Sequence, residues 1–170
     1  MKEHEKSDAS DAVISELNHL KVDYEVMPCD PDLADTANFC ANYGISPQDS
    51  ANAILVVGKS DPKKFTLCLL LATHKLDVNG AVRKKLGTKK ASFASGDETA
   101  NITGMIVGGV TPFGLPTPLP IWVDKAVIER NSIIVGGGSR HQKIRINPST
   151  LLSLTNVEII ENLAKLPETS

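Results

Sequence analysis

Two glycine-rich segments carry the residue types best suited to bind a ligand through the protein backbone. The first, GGVTP, starts at Gly108 and opens a long proline-rich loop. The second, VGGGS, contains the consecutive glycines Gly136 to Gly138. Glycine has no Cβ, so its backbone N–H groups can approach a bound group closely. The alternative interpretation is that both segments form turns or bulges without a ligand.

Side chains that commonly take part in catalysis are scattered singly along the chain. Thr111 could orient a water molecule or a carbonyl group, or only bond the loop backbone. His74 follows a predicted strand and precedes a predicted helix, where it could lie at the edge of a pocket or in a solvated loop. The four histidines have no metal-ligand spacing, and no nucleophile elbow, P-loop or dinucleotide fingerprint opens a helix. We therefore expect neither a metal nor a cofactor.

Three basic clusters could form a surface for phosphate groups. They are Lys59 with Lys63 and Lys64, the stretch from Arg83 to Lys90, and the stretch from Arg140 to Arg145. The net charge of −2 argues against a strongly basic nucleic-acid binder but is compatible with a local basic patch. Aromatic residues are 4% of the chain, so stacking of bases on a row of aromatic side chains is not expected. The other interpretation is a solvated surface, which most charged runs form.

The length and composition of the chain predict one domain that needs no cross-links. A domain of 170 residues buries roughly 70% of its unfolded surface. The three cysteines form no CxxC pair, which favours a reducing compartment. The charged start MKEHEKSDAS leads into no apolar segment, and no run approaches the ~20 apolar residues of a membrane span. We predict a cytoplasmic protein with a flexible segment over 1–10, one domain over 11–160 and a polar tail over 161–170.

Hydrophobic periodicity predicts an α+β domain with a mixed sheet. Apolar residues recur at helical spacing over 11–21, and two continuous apolar runs at 53–58 and 65–72 predict a buried hairpin. Asp77 and Gly87 mark the two ends of a further helix. Asp124 is expected to cap a turn rather than to act as a catalytic acid. We also predict helices over 30–44, 95–104 and 147–155, and strands over 23–29, 105–110, 120–124, 132–139, 143–147 and 156–160.

These segments together resemble the YbaK/ProX family of aminoacyl-tRNA editing domains. The resemblance rests on SANAILVVG, LDVNGAVRKKLG, IVGGVTPFG with LPIWVD, and IIVGGGSR with INPSTLLSLT, in this order. It covers roughly residues 11–160. Its most specific part is a Gly-x-x-x-Pro loop, matched by Gly108 to Pro112, and the segment VGGGSR comes second.

The resemblance implies an α+β fold with a mixed, strongly curved sheet and a deacylase activity. Such domains hydrolyse the ester between a mischarged amino acid and the terminal ribose of a tRNA, most often a tRNA for proline carrying a small residue. A ribose hydroxyl or a substrate thiol would assist the reaction, so no protein nucleophile is required. The loop would hold the aminoacyl carbonyl against backbone amides. Gly109→Val would then abolish activity with little loss of folding, because its Cβ would occupy the carbonyl site.

One position departs from the family. Family members carry a functionally important lysine at the start of the strand that reads AILVV here, where this chain has Asn52. Asparagine donates and accepts hydrogen bonds but has no charge. Another cation such as Lys59, Lys75 or Arg140 could supply the charge, the substrate could differ, or activity could be lost. Asn52 could also serve only to cap a turn at the entry of the strand.

The leading hypothesis is a free-standing aminoacyl-tRNA deacylase. Its expected partner is the aminoacylated 3′ end of a tRNA, and an aminoacyl-tRNA synthetase is a second candidate partner. One alternative is a non-catalytic module on the same fold that binds tRNA or a synthetase. Another is an esterase-like or binding role toward a small aminoacyl compound without tRNA. The candidate residues are, for catalysis, Asn52, Gly108, Gly109, Thr111 and Pro112; for substrate binding, Gly136, Gly137, His74 and Arg140; and for tRNA binding, Lys84, Lys85, Lys89 and Lys90.

Overall fold

The order of helices and strands follows the hydrophobic pattern of the sequence. The fold is given by a computed structural model, which describes residues 2–167 without the side chains of residues 2–8. The helices are α1 (Lys2–His19), α2 (Thr36–Tyr43), α3 (Arg83–Leu86), α4 (Gly96–Thr103) and α5 (Lys125–Ile128). The strands are β1 (Tyr24–Pro28), β2 (Ala51–Gly58), β3 (Lys64–Leu71), β4 (Lys75–Leu76), β5 (Ala91–Phe93), β6 (Ile121–Asp124), β7 (Ile133–Gly136), β8 (Gln142–Ile146), β9 (Val157–Ile160) and β10 (Ala164–Lys165).

The strands form one mixed sheet and two smaller antiparallel ones. The main sheet has the order β5-β2-β3-β6-β9, in which β6 and β9 run parallel to β3 and the other pairs are antiparallel. A three-stranded sheet has the order β1-β8-β7, and β10 pairs with β4. The mixed five-stranded sheet with flanking helices confirms the predicted α+β class.

Both faces of the central hairpin are buried, which explains its continuous apolar sequence. Leu55 of β2 belongs to a core that also contains Val13 and Leu17 of α1, both fully buried. The next residue, Val56, belongs to a second core on the opposite face of the sheet, together with Cys68. Burial raises the pKa of the Cys68 thiol to about 12, so this cysteine is a neutral core residue, as predicted.

The helix ends were predicted correctly where capping residues mark them. Asp77 accepts hydrogen bonds from the backbone N–H groups of Gly80 and Ala81, and a π-type turn over Val78–Val82 then leads into α3. A capping box between Ser95 and Glu98 starts α4.

Four predicted elements differ from the structure. The predicted helix over 30–44 consists of a 3-10 helix, Pro31–Leu33, and the separate helix α2. Residues 105–110 form an irregular segment with a turn instead of a strand, because no described strand pairs with them and Gly109 closes a turn onto the Ile106 carbonyl. The helix after Asn147 is a 3-10 helix, Pro148–Ser153. Asp124 occupies the predicted cap position of α5 but makes no capping bond, since its Oδ1 accepts a hydrogen bond from the Ala164 N–H at 3.1 Å.

No helix within residues 2–167 is both long enough and apolar enough to cross a membrane.

Candidate active site

The candidate site lies beside an edge of β2 that neighbouring strands cover only in part. Ser50 accepts a hydrogen bond from Ala72 on the β3 side, whereas Leu55 accepts one from Ala94 on the β5 side. Successive residues of a strand direct their backbone N–H and C=O groups to opposite sides. In β2, the N–H and C=O groups of the odd-numbered residues therefore point away from β3. On that side β5 pairs only from Val56 onward, and a single bridge joins Ser50 to β7. The peptide group of Ala53 therefore points into the gap between β5 and β7.

This gap is part of a cavity of about 430 Å³. Its volume is in the range of small-molecule sites, about 300 to 1,000 Å³. The wall is mostly apolar and comes mainly from β2, β7, the C-terminal end of β5 and the loop after α4. The polar side chains that line it are those of Asp35, Thr36, Ser50, Asn52, Thr99 and Lys143.

The two glycine-rich segments meet at one wall of this cavity. The Gly138 N–H donates to the Gly109 carbonyl at 2.7 Å, and Gly109 itself closes a turn by donating to the Ile106 carbonyl at 2.9 Å. A Cβ on Gly136 would collide with the carbonyl of Val110, so only glycine allows the loop to lie against the end of β7. Of the five residues predicted for catalysis, Asn52 and Gly108 line the cavity, and Gly136 lines it from the other segment.

Asn52 is held by the first turn of α2. The Thr36 hydroxyl donates to Asn52 Oδ1. The amide oxygen accepts this bond, which leaves the two N–H donors of Nδ2 for other groups. Asn52 lines this cavity and also a neighbouring one beside α2. Asn52 can therefore offer a neutral donor to a bound carbonyl, which a simple turn cap would not do.

Gly109 has a different role from the one predicted. Its missing Cβ would lie 2.7 Å from the carbonyl carbon and oxygen of Ser139 and does not point into the cavity. The expectation that Gly109→Val blocks the carbonyl site while sparing the fold is therefore wrong, because the added side chain would push two backbone segments apart. Gly137 is likewise a packing position, since a Cβ there would meet Gln142.

Thr111 and Pro112 lie further along the loop and outside the cavity lining. The side chain of Thr111 is fully buried, and its Oγ1 has no hydrogen-bond partner among the residues that the structure describes. Pro112 lines a separate groove that it shares with Glu16 and Leu20 of the N-terminal region.

Arg140 supports the site from outside. Its guanidinium donates to the backbone carbonyls of Pro31 and Val107 at 2.8 and 2.9 Å, and to Asp35 at 3.0 Å. These bonds tie the loop after α4 to the segment before α2. The assignment of Arg140 to direct substrate binding is not supported by its position, because it does not line the cavity.

The remaining candidates lie elsewhere. His74 lines a different cavity beside Asp124 and Lys125. Lys85 donates to Glu158 at 2.7 Å and lies over Trp122 on another face of the main sheet. Lys84, Lys89 and Lys90 are exposed, and the last two immediately precede β5, whose final residue lines the cavity.

Lys143 was missed as a site residue by the sequence analysis. It is only 6% exposed and lines the cavity from β8. The segment KIRI alternates charged and apolar residues, a pattern that indicates one solvated face. In the fold, Phe39 and Ala34 cover the face that carries Lys143, and the sequence contains no signal for that contact.

Comparisons with known proteins agree on one family. The family model for the aminoacyl-tRNA editing domain matches residues 30–154, and the chain belongs to this family. A candidate Cys-tRNA(Pro)/Cys-tRNA(Cys) deacylase of Enterococcus faecalis, EbsC, is 28% identical over 125 residues, 73% of this chain and 74% of that protein. The prolyl-tRNA editing protein ProX of Acetoanaerobium sticklandii is 26% identical over 132 residues, 75% and 79% of the two chains.

A solved structure supports the fold assignment independently. The crystal structure of a candidate trans-editing enzyme for prolyl tRNA synthetase superposes with a TM-score of 0.77 at 22% identity, over 92% of this chain and 96% of the other. At this identity the likeness concerns the fold. It agrees with the YbaK/ProX resemblance inferred from the sequence.

Proposed function

We propose that this protein is an aminoacyl-tRNA deacylase that releases a small amino acid from the 3′ end of a mischarged tRNA. The observation that carries the proposal is the convergence of three features on one small cavity: the Gly108 turn, the open peptide group of Ala53 and the amide of Asn52. The names of EbsC and ProX suggest cysteine on a tRNA for proline as the first substrate to test.

The cavity offers complementary groups for an aminoacyl ester. The carbonyl oxygen of Ala53 can accept a hydrogen bond from the α-ammonium group, while its N–H and the Asn52 amide can donate to the ester carbonyl. Apolar walls of limited volume would exclude larger side chains. A second, size-selecting hydrolytic site is useful because a synthetase pocket separates substrates that differ by one methylene by only about 1 to 3 kcal/mol.

A deacylation assay tests this function. Purified protein is incubated with tRNAs charged with Ala, Cys, Ser, Thr or Pro, and the released amino acid is quantified against a reaction without protein. We expect rapid release of one small amino acid and slow release of the others. Release of none of them, with tRNA still bound, would favour the second function below.

A non-catalytic module that binds tRNA or a synthetase is the second function. The feature in its favour is the uncharged Asn52, at the position where the YbaK/ProX resemblance implies a lysine. Salt-dependent tRNA binding is common to both functions, and turnover separates them. A role toward a small aminoacyl compound without tRNA would show neither salt dependence nor a preference for charged tRNA.

The exposed ring of Phe93 is expected to stack on the terminal adenine of the tRNA. Phe93 is 58% exposed at the mouth of the cavity, and the exposed Lys90 lies three residues earlier, about 10 Å away along the strand. Stacking of a base on an aromatic ring contributes about 1 to 3 kcal/mol, or about 5- to 150-fold in affinity. Phe93→Ala should therefore weaken tRNA binding within that range, as measured by filter binding.

Ile106→Ala is the matched control for this prediction. Ile106 is 44% exposed but does not line the cavity. Equal affinities for Phe93→Ala and Ile106→Ala would show that the base does not stack on Phe93.

A further inference from the structure

Lys143 is a buried cation whose ammonium group is held by backbone carbonyls. Its ammonium group donates to the carbonyl oxygens of Ala34 at 2.6 Å and Gly108 at 2.8 Å. It forms no ion pair with the side chains of residues 9–167. An ammonium group has three N–H donors, and two are used by these carbonyls. The third remains for a group inside the cavity that Lys143 lines.

The groups around Lys143 compensate its charge only in part, and one of them is the Phe39 ring, whose centroid lies 5.5 Å from Nζ. Asp35 before α2 is a carboxylate whose charge acts on Lys143, and it already binds Arg140 of the β7–β8 turn at 3.0 Å. The thiols of Cys29 and Cys40 also face Lys143, and burial raises the pKa of both, which favours their neutral form. Burial lowers the pKa of Lys143 itself. A site that keeps such a cation provides strong stabilisation for an anion in the same cavity.

We propose, on the basis of the deacylase function above, that Lys143 binds the ester carbonyl oxygen of the substrate and stabilises the negative charge that develops there. Lys143 thus supplies from β8 a cation that Asn52 cannot supply from β2. The candidates Lys59, Lys75 and Arg140 do not line the cavity.

The reaction it assists is a simple hydrolysis. A water oxygen bonds to the ester carbonyl carbon, and the bond from that carbon to the ribose oxygen breaks. One water proton ends on the ribose oxygen and the other is released with the amino acid carboxylate. No electron acceptor or donor is required. In this proposal Lys143 acts in its ammonium form, transfers no proton and contributes by electrostatic stabilisation.

A carbonyl oxygen fits the position of Lys143 better than a tRNA phosphate does. Lys143 is 6% exposed, and it is reached through a cavity of limited volume. A phosphodiester is bulky and strongly solvated, so we place it at the mouth, near the exposed Lys89 and Lys90. An aminoacyl adenosine without a 5′ phosphate separates the two ligands, because only the carbonyl assignment predicts that Lys143 still matters for it.

The first test compares Lys143→Met with wild type in turnover and in binding. We expect kcat to fall about 100- to 1,000-fold, on tRNA and on aminoacyl adenosine alike, as for the loss of one oxyanion donor. Binding of an amide-linked, non-hydrolysable aminoacyl adenosine should change less than fivefold, since the charge develops only in the transition state. Lys64→Met is the matched control, because Lys64 also donates to a backbone carbonyl, Leu86, at 3.1 Å but lies outside the cavity.

The second test moves the cation within the same cavity. When Asn52→Lys is added to Lys143→Met, kcat should be at least tenfold higher than in Lys143→Met alone, because both positions line the cavity. Asn52→Lys alone should not raise kcat, since a cation is already present. A purely structural role of Lys143 would not be rescued from position 52.

The outcomes separate this inference from the deacylase function. An inactive wild type on all charged tRNAs would overturn the function. An active wild type with an unchanged kcat in Lys143→Met would overturn only the role of Lys143. A loss on tRNA that disappears on aminoacyl adenosine would assign Lys143 to a phosphate, and equal losses of kcat and analogue binding without rescue would assign it to loop support.

Discussion

Ala53→Ile is expected to slow deacylation about 100-fold, the effect of a displacement of about 1 Å at a reacting centre. Ala53 lines the cavity at the open edge of β2, and three added carbon atoms there would occupy space needed by the aminoacyl group. Isoleucine suits a strand, and Ala53 is only half-buried where it packs against the main core, so we expect the free energy of unfolding to change less than the rate does. Single-turnover release of the amino acid measures the effect, and thermal unfolding checks the fold.

Ser92→Ile provides the matched control for this variant. Ser92 lies in β5 of the same sheet and outside the cavity lining, so the same kind of enlargement should leave the rate unchanged. A fully active Ala53→Ile would mean that hydrolysis occurs elsewhere on the protein.

Gly109→Ala is expected to destabilise the fold by about 1 to 3 kcal/mol, the usual cost of overpacking a tight contact. The added Cβ would lie 2.7 to 2.9 Å from three backbone atoms of Ser139, and backbone cannot rotate away as a side chain can. For a domain of this size the melting temperature falls by about 2 to 4 °C per kcal/mol. Calorimetry measures this shift directly.

Gly96→Ala is the control for the stability measurement. A Cβ on Gly96, in the first turn of α4, meets no atom within 4 Å, so its melting temperature should stay near that of wild type. Equal melting temperatures for the two variants would contradict the packing that joins the loop to the β7–β8 turn.

Local sequence signals predicted correctly those parts of the fold where contacts with distant parts of the chain do not override them. The β2–β3 hairpin follows from two continuous apolar runs, and Gly87 ends its helix in the left-handed conformation that glycine favours. The error at 105–110 has the opposite origin. The segment MIVGGV has the composition of a strand, but Ile106 and Val107 are exposed and the segment pairs with no strand of the described chain.

From the sequence, the backbone segments of the site could be predicted, but not all of the side chains that line it. The two glycine segments mark positions where chains approach closely, and they do meet at the cavity wall. Gly109 shows the limit of that signal, because a glycine can be required by a neighbouring backbone as readily as by a ligand. Lys143 shows another limit, since its burial depends on Ala34 and Phe39, more than 100 residues earlier in the chain.

The most direct test of the account is the single-turnover rate at which wild-type protein and Ala53→Ile release cysteine from a tRNA for proline. We predict release by the wild type well above the reaction without protein, and a rate about 100-fold lower in Ala53→Ile at equal tRNA affinity. Equal rates in the two proteins would contradict hydrolysis in the cavity beside β2. No release by either protein, extended to alanine and serine, would contradict the deacylase function itself.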